Sequence, residues 1–345
     1  MYERWTVGDD VAQAPTITAY KAGEDLPAGM PSFEYSISQA TNTPYILFVH
    51  GWNMERWVKD RFAETAFKRL YWQGYQGRFG SFRWPTGSGI TDTTSAVVEH
   101  RNFDDSEFNA WKSGTGLKNM LTRLNILYPG NAYLMAHSMG NVVTGEALRL
   151  AGTNQLVNTY VAMQGAVASH AYDPNRPNRY LGAGGIQDSG TPNRYAQYYT
   201  NGAPCYFNGS AGAGTYVNFF NTNDFALSAW QDDQNFKPDI GWGYDISPSR
   251  FYRGGFTTTT LNFPADTYEI FSYCDEARCY ALGAQADVGG KFSGNQVQLP
   301  SVWPPDPSNA NYNEHFWHSA EFRSDNAQSF LFWDEFLKTC QLKKR

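Results

Sequence analysis

The sequence predicts an α/β fold with a mostly parallel central sheet flanked by helices. In the first half of the chain, short apolar runs alternate with longer segments in which apolar residues recur at helical spacing. One run, Tyr45–Val49, is apolar at every position, which is typical of a strand covered on both faces. Strands and helices that alternate in this way favour parallel pairing, with helices on either side of the sheet.

The elements on either side of this strand are less strongly marked. Residues 1–44 contain four prolines and short β-like pieces such as 16–18, so edge strands are expected there. After the strand at 45–49, the apolar spacing predicts a helix over about 55–71 and a weaker strand at 78–83.

The middle of the chain continues the alternation. Residues 86–106 have the composition of a surface loop, and the amphipathic pattern of 110–128 predicts a helix that stops at Pro129 and Gly130. A buried strand that ends near residue 137 is followed by a helical pattern over 140–150 and a further strand at 158–164.

After Gly165 three long irregular insertions interrupt the pattern, at about 168–214, 231–266 and 275–313. Long irregular segments in a compact domain are usually functional, so we expect a lid or cap, or surface loops. The regular elements that remain are strands at 215–221 and 267–273 and a helix at 326–340. We therefore expect a single domain over residues 1–345 with insertions.

Composition excludes several classes of protein. The net charge is −6, and the short basic tail at 343–345 is the one block of Lys and Arg, so nucleic acid is not an expected partner. No apolar run approaches the roughly 20 residues that a membrane span needs. The first residues lack the apolar core of a signal peptide. The charged fraction of 17% and the aromatic fraction of 16% favour a secreted or periplasmic protein in its mature form.

The four cysteines, Cys205, Cys274, Cys279 and Cys340, permit three pairings. Cys274 and Cys279 are close enough in sequence to close a small loop if the compartment is oxidising. Zinc binding is the competing interpretation, but no C-x-x-C or helical H-x-x-x-H spacing supports it. No metal site is therefore expected.

The strongest chemical signal is the segment Ala136-His137-Ser138-Met139-Gly140, between an apolar strand and a helical pattern. It fits the G-x-S-x-G pattern with alanine in the first position. A serine at the apex of such a turn has a strained backbone and an exposed hydroxyl, which makes Ser138 a candidate nucleophile. Small residues are needed on both sides because the strand and helix backbones pass close together. The other interpretation of Ser138 is a buried serine that satisfies a helix N-terminus.

A second match to this pattern surrounds Ser210, but no strand precedes it and no helical pattern follows it. We assign it to a loop.

A serine nucleophile needs a neutral imidazole to accept its proton, and that imidazole needs a carboxylate on its other nitrogen. In a serine-turn sheet the chain order is serine, acid, histidine. This order excludes four of the six histidines: His50, His100, His137 and His170. His137 is expected to point away from the site into the fold. Of the remaining two, His318 is preferred to His315 because small residues follow it and leave room beside its ring.

The acid should follow the strand at 215–221. Asp224 lies three residues beyond that strand and is the preferred candidate, with Asp232 and Asp233 as alternatives. The competing interpretation of Asp224 is the N-cap of a helix that starts near Ala226.

The reaction also requires backbone N–H donors for the oxyanion. One donor is expected from Met139, the residue after the nucleophile. The other is expected from Trp52, in the His50-Gly51-Trp52 loop after the first core strand, although His50-Gly51 is also consistent with an ordinary strand-ending turn.

Three motifs together resemble the α/β-hydrolase superfamily: Phe48-Val49-His50-Gly51-Trp52-Asn53, Trp84-Pro85 and Ala136-His137-Ser138-Met139-Gly140-Asn141. They are similar to a group of bacterial α/β-hydrolases of unknown function with H-G-W/F-N and A-H-S-M-G-N motifs. The resemblance covers about 45–165. It implies the α/β-hydrolase fold and hydrolysis through an acyl-enzyme, with no metal or organic cofactor. The long insertions depart from the family, so no substrate follows from the resemblance.

The expected function is an esterase- or lipase-like serine hydrolase that acts on a small-molecule or lipid-like ester. Tyrosines in the insertions either line an acyl pocket or, as we expect for most of them, pack the insertions onto the sheet. They are Tyr172, Tyr180, Tyr195, Tyr198 and Tyr199. Two alternatives remain open: a peptidase or amidase with the same triad, and a non-catalytic binding module on a hydrolase scaffold.

Overall fold

The structure of the chain is a computed structural model. The structure describes residues 2–7, 17–21, 43–89, 96–167, 169–172, 199–200, 203–204, 212–222, 224, 226–227, 281–284, 290–299, 318–323 and 327–342.

The strands of the described residues form one large sheet and one small hairpin. In chain order they are β1 (Tyr2–Val7), β2 (Ile17–Lys21), β3 (Tyr45–Val49), β4 (Arg78–Arg83), β5 (Ala132–His137), β6 (Val157–Met163), β7 (Tyr199–Thr200), β8 (Ala203–Pro204), β9 (Ala213–Phe220) and β10 (Gln296–Gln298). The large sheet has the order β10-β9-β6-β5-β3-β4-β1-β2, and β7 pairs with β8. Every neighbouring pair in the large sheet is parallel except β1 and β2. This confirms the predicted mostly parallel sheet, with edge strands near the N-terminus.

Helices cover both faces of the sheet. They are α1 (Arg56–Trp72), α2 (Ala96–Leu127), α3 (Gly140–Leu150), α4 (Ala320–Arg323) and α5 (Ala327–Thr339). Helices α2 and α3 contribute to one hydrophobic core, and α1, α4 and α5 contribute to the other. None of the described helices is both long enough and apolar enough to cross a membrane.

The unbroken apolar run of β3 follows from this two-sided cover. Tyr45, Leu47 and Val49 face the core under α2 and α3. Ile46 and Phe48 face the core under α1 and α5, and all five side chains are fully buried. Side chains alternate across a strand, so a strand with helices on both faces needs apolar residues at even and odd positions.

Helix α2 begins well before the predicted helix. Residues 86–106 were expected to form a loop, yet the helix starts at Ala96. The sequence of this first part is rich in Asn, Asp and His, which have low helix propensity. Tertiary contacts offset that preference: Trp52 Nε1 donates to Asn102 Oδ1 at 2.9 Å, and the Gly87 amide donates to Ser106 Oγ at 2.8 Å.

The third predicted insertion contains ordered structure that completes the sheet edge. Strand β10 pairs in parallel with β9. A short 3₁₀ segment, Leu282–Ala284, is tied to the residues after β6, because the Leu282 amide donates to the Val167 carbonyl at 2.7 Å and the Gly283 amide donates to the Gly165 carbonyl at 3.0 Å. Most of the three insertions, the strand expected at 267–273 and three of the four cysteines lie outside the described residues. Cys340 is buried and carries a free thiol.

A close backbone approach joins β3 to the start of α3. A Cβ atom built on Gly140 would lie 2.5 Å from the His50 carbonyl oxygen and 2.7 Å from that of Val49. Both atoms belong to the backbone at the end of β3, so neither can rotate out of the way. Glycine is therefore required at residue 140 for the observed spacing between strand and helix.

We expect Gly140→Ala to lower the free energy of unfolding by about 1–3 kcal/mol, because the overpacked methyl group must displace a core strand. Ile126→Ala is the control: Ile126 is 73% exposed on α2, so its truncation should change the free energy of unfolding by about 0.5 kcal/mol or less. Urea denaturation measures both variants. An equal loss of unfolding free energy in the two variants would show that the close backbone contact at Gly140 does not limit the size of residue 140.

Candidate active site

The candidate residues follow the carboxyl ends of neighbouring parallel strands. His50 follows β3, Ser138 follows β5, Gln164 follows β6, and Asp224 lies four residues after the end of β9. Parallel strands place their carboxyl ends at the same edge of a sheet, which is where ligands bind in open α/β sheets.

Ser138 has a positive φ of 53°, which is uncommon for a residue other than glycine and costs free energy. Hydrogen bonds hold this conformation. The Ser138 amide donates to the Met163 carbonyl at 3.1 Å, and its own carbonyl accepts from Asn141 Nδ2 at 2.8 Å. Tyr160 in turn donates its hydroxyl to Asn141 Oδ1 at 2.6 Å. The predicted strained turn at the serine is therefore present and is supported from the neighbouring strand β6.

The loop after β3 lies directly against the serine. A Cβ built on Gly51 would be 2.8 Å from Ser138 Cβ and 3.1 Å from His137 Nδ1. Any larger side chain at residue 51 would displace the nucleophile. Ala136, the alanine that replaces the usual glycine, is fully buried between β3 and β6 and is accommodated there.

Asp224 and His318 form a direct hydrogen bond. His318 Nδ1 lies 2.7 Å from Asp224 Oδ2. The side chain of Asp224 is fully buried, and that of His318 is 12% exposed. A carboxylate accepts but does not donate, so Nδ1 carries the proton and Nε2 is left as the basic nitrogen. The structure thus joins two residues that are 94 positions apart in sequence.

Two further donors fix the Asp224 carboxylate. Gln164 Nε2 donates to Oδ2 at 2.6 Å, and the Leu227 amide donates to Oδ1 at 3.0 Å. The bond from the Leu227 amide is the N-cap contact expected under the competing interpretation of Asp224. The one carboxylate therefore caps the short turn at 226–227 and also holds the histidine. The alternative acids Asp232 and Asp233 and the alternative histidine His315 lie outside the described residues.

His137 links the serine turn to His318. Its Nε2 lies 2.6 Å from the His318 carbonyl oxygen, and the two rings are 4.8 Å apart between centroids. His137 is buried, as expected, but it contacts the candidate site, whereas the sequence suggested that it points away from it. Among the described contacts, no hydrogen bond joins Ser138 Oγ to His318; His137 is the residue that touches both regions.

His50 anchors the loop that carries Trp52. The Trp84 amide donates to His50 Nε2 at 3.2 Å, so that nitrogen is an acceptor and Nδ1 carries the proton that is donated to the Gly51 carbonyl at 2.8 Å. The Trp84 ring stacks on the imidazole at 5.2 Å. Burial, followed by the positive charge of Lys59, holds the pKa of His50 well below its usual value. The ring is therefore neutral, and it fixes the loop against β4.

Met139 is the first residue after the serine and the N-cap of α3. It is buried. Backbone amides at the N-terminal end of a helix carry partial positive charge and favour anions, so this end of α3 favours negative charge near Ser138.

Sequence reasoning missed three residues around the candidate triad. Gln164 has a positive φ of 42° and donates a hydrogen bond to Asp224. In the sequence, it is marked only as a polar residue that directly follows a buried strand. His137 was noticed but assigned no contact. Glu321 is buried, with a carboxyl oxygen 3.6 Å from His137 Nε2, and no motif points to it. Burial, together with the nearby charge of Asp224, raises the pKa of Glu321 well above its usual value.

A polar cavity of about 370 Å³ adjoins the Trp52 loop. Its described lining is Lys59, Pro85, Thr86, Gly87, Asn102, Ser106 and Asn109. Asn102 accepts from Trp52, so the wall of this cavity and the candidate oxyanion loop share a hydrogen bond.

The tyrosines expected in the insertions are only partly described. Tyr172 is buried and packs against Phe292 and Tyr216, which is the packing role expected for most of them. Tyr180, Tyr195 and Tyr198 lie outside the described residues. Among the described residues, no group of three or more His, Cys, Asp or Glu side chains is arranged to hold a metal ion.

Comparisons with known proteins find similarity to α/β-hydrolases over part of the chain. Residues 31–167 match the family described as "Alpha/beta hydrolase of unknown function". No curated protein matches the chain. The solved structures that match include the crystal structure of the esterase domain of a Rhodothermus marinus protein, with 21% sequence identity and a TM-score of 0.22. That match covers 39% of this chain and 46% of the other chain, so this chain spans about half the length of the domain that it matches.

The mostly parallel sheet flanked by helices has the α/β-hydrolase fold, and residues 31–167, which include β3 to β6, are similar to the α/β-hydrolase superfamily. Within that superfamily, the matched residues are similar to a family whose function is unknown. The resemblance inferred from the sequence is thus confirmed for the superfamily.

We expect the contribution of His50 to stability to fall as the pH is lowered below 6.5, the ordinary pKa of histidine. The pKa of His50 is lowered in the folded protein, so its ring is neutral there. Between that lowered pKa and 6.5, His50 binds a proton in the unfolded chain but not in the folded protein. Lowering the pH through this window therefore favours unfolding. His50→Gln keeps an acceptor for the Trp84 amide but does not titrate. Its free energy of unfolding should depend less steeply on pH, by up to about 1.4 kcal/mol per pH unit.

Urea denaturation at several pH values between 5 and 7 measures this difference in slope. Glu321, whose pKa is raised, changes stability in the opposite sense in both proteins and cancels from the comparison. Parallel pH dependences for wild type and His50→Gln would contradict the neutral, buried assignment of His50.

Proposed function

We propose that the protein is a serine hydrolase that cleaves carboxylic esters through an acyl-enzyme. The observation that carries the proposal is the Asp224–His318 hydrogen bond at the sheet edge where Ser138 has a positive φ. A buried carboxylate on Nδ1 leaves Nε2 of the histidine free of a proton, which is the arrangement that a general base for a serine hydroxyl requires.

In the proposed first step, Ser138 Oγ attacks the ester carbonyl carbon while His318 Nε2 takes the hydroxyl proton. The electron pair of the carbonyl bond moves to oxygen, and the resulting oxyanion accepts hydrogen bonds from the backbone amides of Trp52 and Met139. Asp224 stabilises the imidazolium that forms. The tetrahedral intermediate then expels the alcohol, which takes its proton from His318, and an acyl-serine remains.

In the second step, water attacks the acyl-serine carbonyl and gives a proton to His318. Collapse of the second tetrahedral intermediate breaks the bond to Ser138 Oγ, which recovers its proton from the imidazolium. The acid product leaves and the free enzyme is restored. Every proton that moves is held by His318, the substrate or water, so the proposed cycle balances without a cofactor.

The proposal for the oxyanion donors is supported by the packing of the loop after β3. Gly51 lies against Ser138, and His50 and Trp84 hold the loop from behind. Because the donors are fixed before substrate arrives, no reorganisation is needed when the charge develops, and this is the condition under which such donors are most effective.

A fluorophosphonate probe tests the nucleophile, because it labels an activated serine without requiring knowledge of the substrate. We expect labelling of the wild type and none of Ser138→Ala. On p-nitrophenyl esters of graded acyl length, Ser138→Ala, His318→Ala and Asp224→Asn should each lower kcat by about 10³-fold or more. Labelling that persists in Ser138→Ala would refute the proposed nucleophile.

Parallel assays on peptide anilides distinguish ester from amide hydrolysis. An amide has a poor leaving group that must be protonated as it departs. Higher kcat/KM on anilides than on esters would assign the protein as a peptidase or amidase with the same triad. The absence of both labelling and turnover would favour the non-catalytic binding module.

Gln164 provides a separate test of the support for the acid. Gln164→Leu removes one of the described hydrogen bonds to the Asp224 carboxylate. We expect kcat for ester hydrolysis to fall by about 10-fold with little change in KM, because the carboxylate is then less well oriented toward His318. Gln73→Leu is the matched control; it removes a glutamine bond to the Phe330 carbonyl at the end of α1 and should leave kcat unchanged. Equal effects of the two substitutions would contradict the role given to Gln164.

A further inference from the structure

We propose that His137 is a positioning residue that sets the place of His318 through a hydrogen bond to its main-chain carbonyl. The inference rests on the proposed function, because it assigns a further role within the same site.

The main chain of His318 does not belong to the sheet. Strand β5 leads into Ser138, and β9 ends four residues before Asp224, but His318 begins the short described segment 318–323. The hydrogen bond from Nδ1 to Asp224 fixes one atom of its ring. A ring held at one atom can still swing about that contact, so a second fixed point on the same residue is required to place Nε2.

His137 supplies that second point. Its Nε2 lies 2.6 Å from the His318 carbonyl oxygen. A carbonyl accepts but does not donate, so Nε2 of His137 carries the proton. The ring is itself confined: Phe322 meets it edge-on at 5.3 Å between centroids, and Phe62 lies at 6.4 Å.

The other end of the segment is held independently. The Glu321 carbonyl accepts hydrogen bonds from Trp333 Nε1 at 3.0 Å, from Ser329 Oγ at 3.1 Å and from Arg69 Nη1. Helices α1 and α5 therefore anchor the segment three residues after His318. At His318 itself, the main-chain carbonyl is held by His137, which belongs to β5, the strand that leads to Ser138.

The hydrogen bond between His137 and the His318 carbonyl matters because His137 directly precedes Ser138 in the sequence. It is the last residue of β5, it pairs with Met163 across the sheet, and it is bonded to Ser138. One side chain thus ties the carbonyl of the general base to the strand that carries the nucleophile. This hydrogen bond adds a short, rigid link between the strand of Ser138 and the main chain of His318 to the contacts made by Asp224 and by Glu321.

The charge state of His137 is compatible with this role. Burial, followed by the nearby His318, holds the pKa of His137 well below its usual value, although the bond to the His318 carbonyl raises it. Among the described residues, the charged and titratable groups near it are His50, His318, Glu321 and Arg323. A neutral donor fixes the carbonyl without placing a second positive charge beside His318 when that residue accepts a proton.

Three substitutions separate positioning from packing. The side-chain amide nitrogen of glutamine falls near the place of histidine Nε2, whereas that of asparagine falls near Nδ1 and cannot reach the carbonyl. We expect His137→Gln to keep kcat within about 3-fold of wild type, while His137→Asn and His137→Leu lower kcat by about 10–100-fold with KM within about 2-fold, as expected for displaced reacting groups. The assay uses a p-nitrophenyl ester, and thermal unfolding is measured for all three variants.

A spectroscopic measurement tests the same point without substrate. The proton shared by His318 Nδ1 and Asp224 gives a low-field imidazole N–H resonance in water, assigned by its loss in His318→Ala. We expect it to be retained in His137→Gln and shifted or broadened in His137→Asn. A side chain that acts through packing alone would lower kcat in proportion to the loss in unfolding temperature and leave the resonance in place.

The outcomes for the two proposals are distinguishable. If Ser138→Ala and wild type hydrolyse the ester equally, the proposed function fails, and the resonance alone decides the role of His137. If wild type is active and His137→Asn retains both its kcat and its resonance, the positioning role is overturned while the proposed function stands. Equal loss of kcat in His137→Gln and His137→Asn also overturns it.

Discussion

The geometry of the candidate site depends on one close approach, between the end of β3 and the turn after β5. Gly140 meets the backbone of Val49 and His50, and Gly51 meets the side chain of Ser138. Both contacts require residues without a Cβ, because the atoms they meet are backbone or the nucleophile itself. This approach brings the start of α3, the loop that carries Trp52 and the strained serine into one small volume.

Strands and loops contribute differently to the site. The residues next to strand ends are positioned by the hydrogen bonds between neighbouring strands. Hydrogen bonds to β6 also support the conformation of Ser138. Asp224 and His318 come from irregular chain and depend on side-chain contacts instead. That difference gives a role to two buried polar groups around them. Gln164 donates a hydrogen bond to Asp224 and His137 to the His318 carbonyl, and both side chains come from the ends of strands, so they transfer the rigidity of the strands to the loop residues.

Burial also controls the charges of the site. His50 and His137 are enclosed and neutral, and each uses a ring nitrogen to hold backbone rather than to carry charge. The burial that stabilises the packing around these rings disfavours their protonated forms. Unlike these two side chains, the side chain of His318 is partly open to solvent.

The sequence by itself determined the class of the fold and the strand-borne part of the site. Apolar runs and helical spacing are local properties, so they predicted β3, β5, β6, β9 and α3, and the small residues around Ser138 predicted its turn. The triad order made Asp224 and His318 the candidates, and the structure brings these two together. Local propensity gave the wrong result for 96–106, the described part of the expected loop 86–106 that is helical, where contacts from Trp52 and Gly87 stabilise a helix that the sequence does not favour.

Only the tertiary structure decided which buried polar groups support the site. Gln164 reaches Asp224 across 60 residues, and His137 reaches His318 across 181. No local pattern encodes such pairs, because a glutamine after a strand and a histidine before a serine have many other uses. Their roles follow from the three-dimensional convergence of chain segments, in which a buried hydrogen-bonding group must find a partner.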